Sequence, residues 1–135
     1  MIFIDSNVWC FYFDTSFKEN KKITDAVNSL VDKERVLSNT LIVMEVSHFL
    51  VKNLGQRIGK INIDKFLSLP IEIIDVDFSL MKNSIDMLSD YSHTGIGGRD
   101  ATILATLKQE KTDKIMTNDS AFKKIEWLNV IDPLE

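Results

Sequence analysis

The sequence predicts an α/β fold: a single three-layer α/β/α domain over residues 1–135 with a central parallel sheet of four to five strands. Short apolar runs such as Met1-Ile2-Phe3-Ile4 alternate with stretches whose apolar residues recur at helical spacing. Strands separated by helices need crossover connections, which means parallel pairing with helices on both faces. The chain has 135 residues, 5 glycines and 2 prolines, enough for one core and without a linker, repeat or low-complexity stretch.

Ile2–Asp5 reads as a short, fully buried strand. Ile23–Lys33 places Ile23, Ala26, Val27, Leu30 and Val31 on one face of an amphipathic helix. Arg35–Ser38 is a second strand, after which Asn39 or Thr40 caps the helix Leu41–Lys52. That helix is apolar around most of its circumference, so it is expected to be buried. Gly55 and Gly59 are expected to break the chain before a shorter helix at Asn62–Leu67. Ile71–Asp75 is a third strand, Phe78–Leu88 a helix, and Tyr91–Gly98, with three glycines, a loop. Asp100–Glu110 is a helix with an apolar stripe of Ile103, Leu104 and Leu107. Ile115–Thr117 is the fourth strand, Ser120–Lys124 a short helix, and Val130–Ile131 a last strand before Asp132-Pro133.

A composition of 44% hydrophobic and 27% charged residues is that of an ordinary globular protein. No apolar stretch approaches the ~20 residues of a membrane span, and the N-terminus lacks the basic region and cleavage site of a signal peptide. Cys10 is the only cysteine, which excludes an internal disulfide and fits a reducing compartment, so a cytoplasmic location is expected. A net charge of −4 argues against non-specific nucleic-acid binding by bulk electrostatics. It leaves open an enzyme whose metal ions supply the positive charge at the reaction centre. Lys18, Lys21 and Lys22, and Lys52, Arg57, Lys60 and Lys65, read as solvated faces.

Four acids stand where the pattern gives little structural reason for charge. Asp5 ends the first apolar run, Glu45 interrupts Leu41-Ile42-Val43-Met44 and Val46, Asp100 opens a helix after Gly97-Gly98-Arg99, and Asp119 follows the run Lys114–Asn118. Each Asp could be a helix cap or a first-turn acid. Glu45 is harder to explain, because a lone carboxylate among apolar neighbours costs several kcal/mol or takes up a proton. Leu41, Glu45 and His48 share one helix stripe, and Asp100 shares that of Leu104 and Leu107; both stripes are read as facing inward. Asp5 and Asp119 lie at carboxyl ends of strands, where parallel sheets place their sites. Together the four suit one or two hard cations, Mg²⁺ or Mn²⁺, which take oxygen ligands. Two ions ~4 Å apart would stabilise the attacking and leaving oxygens of a phosphodiester displacement. Ser6, Asn7, Thr117 and Asn118 are short polar residues suited to holding the ligands or the ion's water. Arg99, beside Asp100, is a candidate phosphate contact.

At these residues the sequence resembles the PIN-domain nucleases, and most of all the VapC-type toxins of toxin–antitoxin pairs. The resemblance runs over nearly the whole chain: Ile4-Asp5-Ser6-Asn7 at the first strand, Met44-Glu45-Val46 in the helix after the second, Asp100-Ala101-Thr102-Ile103-Leu104-Ala105 opening a later helix, and Thr117-Asn118-Asp119-Ser120-Ala121-Phe122 at a strand end. It departs at Thr94-Gly95-Ile96-Gly97-Gly98, glycine-rich where many relatives carry an aromatic residue. The resemblance implies a metal-dependent endoribonuclease acting on single-stranded RNA, with Asp5, Asp100 and Asp119 holding Mg²⁺ or Mn²⁺. Glu45 would complete the cluster by binding the ion or orienting its water. It further implies a homodimer and a cognate antitoxin that blocks the acidic groove.

Other readings are weaker. Glu45 and His48 form one E-x-x-H pair, but a helical di-iron site needs two. His93 has no histidine neighbour to complete a zinc site. Asp5-Ser6-Asn7 lacks the second Asp of a phosphatase D-x-D pattern, and no Lys ends the last strand as in a phospho-acceptor domain. An inactive nuclease-like binding module would not need all four acids. The aromatics Trp9, Phe11, Tyr12, Phe13 and Phe17 read as core and subunit-contact packing in preference to base stacking.

Overall fold

The computed structural model describes residues 1–135. Strands β1 (Ile2–Ile4), β2 (Val36–Asn39), β3 (Ile71–Ile74), β4 (Lys114–Met116) and β5 (Asn129–Ile131) form one sheet in the order β3-β2-β1-β4-β5. Every neighbouring pair is parallel, with Ile4 opposite Met116 and Asn39 opposite Ile74. Helices α1 (Ser6–Phe13), α2 (Asn20–Val31), α3 (Thr40–Leu54), α4 (Gln56–Ser68), α5 (Phe78–Asp90) and α6 (Gly98–Gln109) complete the three-layer α/β/α arrangement. Two 3-10 turns, Ser92–Thr94 and Ser120–Lys124, complete the elements. From β1 the chain builds outward through β2 and β3, then returns to β1's other side for β4 and β5. Strand order therefore reverses between β1 and β4, where such sheets open a crevice at their carboxyl ends.

Burial follows from the apolar runs. Ile2, Phe3 and Ile4 are fully buried, as are Val36, Leu37 and Ile115, because helices cover both faces of the sheet. Trp9 packs on Phe66 with ring centroids 5.0 Å apart, and Phe13 on Phe66 at 5.7 Å. The aromatics after Asp5 therefore serve the core.

Several elements depart from the sequence reading. Helix α1 has no counterpart in it, since its residues Trp9, Phe11, Tyr12 and Phe13 have modest helix propensity. Packing of Trp9 and Val8 into the core outweighs propensity, and the Asp5 carboxylate starts the helix by accepting from the Ser6 N–H. Helix α3 is not buried around its circumference. Ile42, Val46 and Leu50 form the buried stripe, while Leu41, Met44, His48 and Val51 are exposed, Met44 by 66%. One stripe is enough to cover the core, and turning Glu45 and His48 inward would bury a carboxylate. Helix α6 goes the other way: Ala101 through Leu107 are all buried, not only the stripe of Ile103, Leu104 and Leu107. Gly98, read as loop, is its first residue.

Gly55, at φ +87°, does break the chain, but Gly59 lies inside α4. There it permits a close approach: a Cβ on Gly59 would sit 2.8 Å from the Leu50 carbonyl oxygen and 2.8 Å from the Val51 Cα, both backbone atoms of α3. Glycine to alanine in an ordinary helix interior stabilises by about 1 kcal/mol. Here α3 and α4 must move apart, so Gly59→Ala is expected to destabilise by about 1–3 kcal/mol in urea unfolding. A stabilised variant would contradict this packing.

Candidate active site

Asp5 follows β1 and Asp119 lies three residues beyond β4, on the two strands that flank the reversal of strand order. One hydroxyl ties them together. Thr117 Oγ1 donates to Asp5 Oδ2 at 2.8 Å and accepts from the Asp119 N–H at 3.0 Å and from Asn7 Nδ2 at 3.3 Å. The other Asp5 oxygen accepts from the Ser6 N–H at 2.7 Å and from Ser6 Oγ at 3.3 Å. Asp119 Oδ1 accepts from the Ala121 N–H at 2.9 Å, so Asp119 also caps the turn that follows it. Ser6 and Thr117 thus hydrogen-bond to Asp5, and Asn7 to Thr117, whereas the Asn118 side chain makes none of these hydrogen bonds.

Glu45 projects from α3 and Asp100 from the first turn of α6. Asp100 Oδ2 accepts from the Gly97 N–H at 3.2 Å, fixing the start of its helix. Arg99 Nε lies 2.7 Å from Glu45 Oε2, an ion pair without the alignment of a hydrogen bond, and this buried Glu45 oxygen has no hydrogen-bond donor. Glu45 and Arg99, with Leu41, Met44 and His48, line a groove of about 310 Å³ beside the acids. His48 is exposed there and joins no cluster of ligating side chains.

Electrostatics show the acids acting on one another. Burial pushes the Asp5 carboxyl up to about 6; the charges of Asp100 and Glu45 add to this, and the hydrogen bonds from Thr117 and Ser6 oppose it. Burial also raises Glu45, with Asp100 adding and the Arg99 charge opposing. Asp100 is raised by burial and by Asp119, against the Gly97 N–H and Arg99. The Cys10 thiol, one turn beyond Ser6, is pushed up to about 12 by burial and by Glu45, Asp5 and Asp14, so it remains a neutral, unreactive thiol at neutral pH.

The cluster is looser than the sequence reading implies. No three acidic, histidine or cysteine side chains lie close enough to ligate one ion directly. The residues nonetheless fit a hard divalent cation. The crevice gathers carboxylate oxygens from Asp5, Glu45, Asp100 and Asp119, the ligand type a hard cation prefers, and no basic side chain offsets the buried Asp5 charge. Mg²⁺ commonly uses only one or two carboxylates and keeps several waters, a mode that needs no closed cage.

The fold and site together define a class. The model of the PIN domain family matches residues 2–128, and the chain belongs to that family. VapC proteins are among those it resembles. Ribonuclease VapC2 of Methanocaldococcus jannaschii is 24% identical over 141 residues, covering 97% of this chain and 93% of that one. The crystal structure of Mycobacterium tuberculosis VapC20, a sarcin–ricin loop cleaving toxin, superposes with a TM-score of 0.80 at 16% identity, covering 91% of this chain and 93% of that one. VapBC2 from Rickettsia felis, bound to a DNA fragment from its promoter, gives 0.76 at 19% identity, covering 97% of this chain and 98% of that one. At such identities the structural likeness speaks for the fold.

Two features were not legible from the sequence. Arg99, the candidate phosphate contact, also pairs with Glu45, a link between α3 and α6 that the sequence does not show. Asn39 was read only as a helix cap, yet its side chain also donates to Thr102 and Thr106 of α6. The spacing of those two threonines, four apart within a wholly buried helix segment, was the available signal.

Proposed function

We propose that this chain is a metal-dependent endoribonuclease that hydrolyses phosphodiester bonds of single-stranded RNA, and that it is the toxin of a toxin–antitoxin pair. The observation that carries this reading is the pairing of Asp5 and Asp119 through Thr117 at the reversal of strand order, with Glu45 and Asp100 coupled to the same crevice. Asp5, Asp100 and Asp119 would hold Mg²⁺ or Mn²⁺, at least one of them through the ion's water because no three acids are close enough to ligate it directly, and Glu45 would bind the ion or orient the attacking water. A divalent cation held by these acids would neutralise their charge and supply electrostatic stabilisation to the phosphodiester oxygens. Arg99, more than half exposed while it pairs with Glu45, is placed to take a substrate phosphate as well.

Partners follow from what the relatives do. VapBC2 from Rickettsia felis is a complex with promoter DNA, which supports a cognate antitoxin for this chain. A homodimer is proposed too; exposed apolar residues Phe78, Met81 and Ile85 on one face of α5 are available for such a contact. No helix is long and apolar enough to cross a membrane, and the proposed location is the cytoplasm.

Incubation with labelled single-stranded RNA tests the enzyme reading. Cleavage is expected with Mg²⁺ or Mn²⁺, loss of cleavage with EDTA, and recovery when metal is restored. Cleavage indifferent to EDTA, or none in any metal, would overturn it.

A further inference from the structure

The side chain of Asn39 is fully buried and uses all of its principal hydrogen-bonding capacity between two helices that each carry an acid of the site. Its Oδ1 accepts from the Ile42 N–H at 2.9 Å, closing the first turn of α3, the helix of Glu45. Its Nδ2 donates to Thr102 Oγ1 at 3.3 Å and Thr106 Oγ1 at 3.2 Å on α6, the helix of Asp100. The amide orientation is fixed by chemistry, because the Ile42 N–H requires an acceptor and only the carbonyl oxygen of the amide can accept. The threonine hydroxyls are committed as well. Thr102 Oγ1 donates to the Arg99 carbonyl and Thr106 Oγ1 to the Thr102 carbonyl, both at 2.7 Å, which leaves their lone pairs to face Asn39. The chain of bonds thus runs from the end of β2 to the carbonyl of the residue before Asp100.

From this geometry we infer that Asn39 is a positioning residue for the proposed metal site: by clamping the start of α3 to the inner face of α6, it holds Glu45 and Asp100 at a fixed separation across the crevice. The inference rests on the metal-dependent reading above. Helix capping alone does not account for the arrangement. Serine caps a helix as well as asparagine does, but it is too short to reach α6. The two contacts to threonine, 63 and 67 residues away in the chain, add nothing to a cap. Two acids on separate helices have no covalent reason to keep their spacing; the Arg99–Glu45 pair links α6 to α3 at the half-exposed rim, and Asn39 links the same helices in the core. Groups that orient metal ligands typically change metal affinity 10–100-fold when removed.

Manganese affinity of the full chain, measured by calorimetry and by electron paramagnetic resonance of free Mn²⁺, is the readout. Asn39→Ser keeps the cap and cuts the tie; Thr102→Val with Thr106→Val cuts the same tie from α6 with little change in shape and leaves the cap alone. Each is expected to weaken Mn²⁺ binding about 10-fold or more. Combining all three substitutions should cost no more than either alone, because one linkage is being removed. Val27→Ala, a core truncation in α2, should lower the melting temperature and leave Mn²⁺ affinity at the parent value. Parent affinity in the threonine double variant, or an equal loss in Val27→Ala, would overturn the positioning role, and the threonine pair decides the matter even where Asn39→Ser does not fold. Asp5→Asn separates the two levels. If it too binds Mn²⁺ like the parent, the metal-site reading has failed and takes this one with it; if it loses Mn²⁺ while the threonine pair does not, only the role of Asn39 falls.

Discussion

Asp5→Asn is expected to reduce metal-dependent RNA cleavage by orders of magnitude while leaving the protein folded. The substitution keeps the size of the side chain at the end of β1, and asparagine caps a helix as well as aspartate does, so α1 can still begin at Ser6. What changes is charge. Asp5 is 4% exposed and sits among Glu45, Asp100 and the Thr117 link to Asp119, so it is the member of the cluster least screened by water. Removing its charge would remove the proposed buried anionic ligand and lower the pull of the site on a cation. If Asp5 served only as a cap, the variant would cleave like the parent; an active Asp5→Asn protein would sink the nuclease reading. Asp100→Asn and Asp119→Asn should behave alike. Pairing two of the three should cost far less than the product of the separate losses, because groups acting as a unit are non-additive.

The second large effect is on stability. Without metal the protein should grow more stable as pH falls from 7.5 towards 4.5. The folded-state pKa of Asp5 is raised from 3.8 to about 6, so between these values the folded protein holds a proton that the unfolded chain has released. Its contribution is present in full below about 4 and lost as pH rises through 6. A shift of this size corresponds to about 3 kcal/mol across the whole window. Glu45 and Asp100, raised in the same direction, add to the trend. The carboxylates lowered by ion pairs, Glu34 and Glu72, oppose it weakly because they are solvent-screened. Thermal unfolding in EDTA at pH 7.5, 6 and 4.5 checks the sign. Asp5→Asn should flatten the curve, and saturating Mn²⁺ at neutral pH should raise the melting temperature by binding only the folded state. A melting temperature that falls steadily on acidification, in parent and variant alike, would contradict the buried, coupled carboxylate described here.

How much of this was legible in the sequence depends on how local each signal is. Strands such as Ile2–Ile4 and Ile115–Met116 are apolar on both faces, which is itself the mark of a covered parallel sheet. The acids at their carboxyl ends followed from the same pattern. Helix α1 was hidden because its aromatic residues favour the helix only through contacts with Phe66, far along the chain. Gly59 was misread because a glycine that breaks a helix and one that lets two helices touch look the same in one dimension. Glu45 stands out in the sequence on a helix stripe expected to face inward; the structure turns that stripe to the groove, where Arg99 can reach it. The second role of Asn39 depends on partners 63 and 67 residues away on α6, and the four-residue spacing of those threonines does not say what they face.

The spread of the four acids along the chain has a consequence for when the proposed nuclease could first act. Asp5, Glu45, Asp100 and Asp119 are drawn from almost the whole length of the 135 residues, and Asp119 is placed by β4, which pairs with the C-terminal β5. A chain still on the ribosome and short of Asp119 holds at most three of the four carboxylates and lacks the Thr117 hydroxyl that joins Asp5 to Asp119. Under the proposed nuclease reading, cleavage is expected only once the chain has been made and folded through Asp119, and fragments truncated before residue 117 are expected to be inactive without any inhibitor.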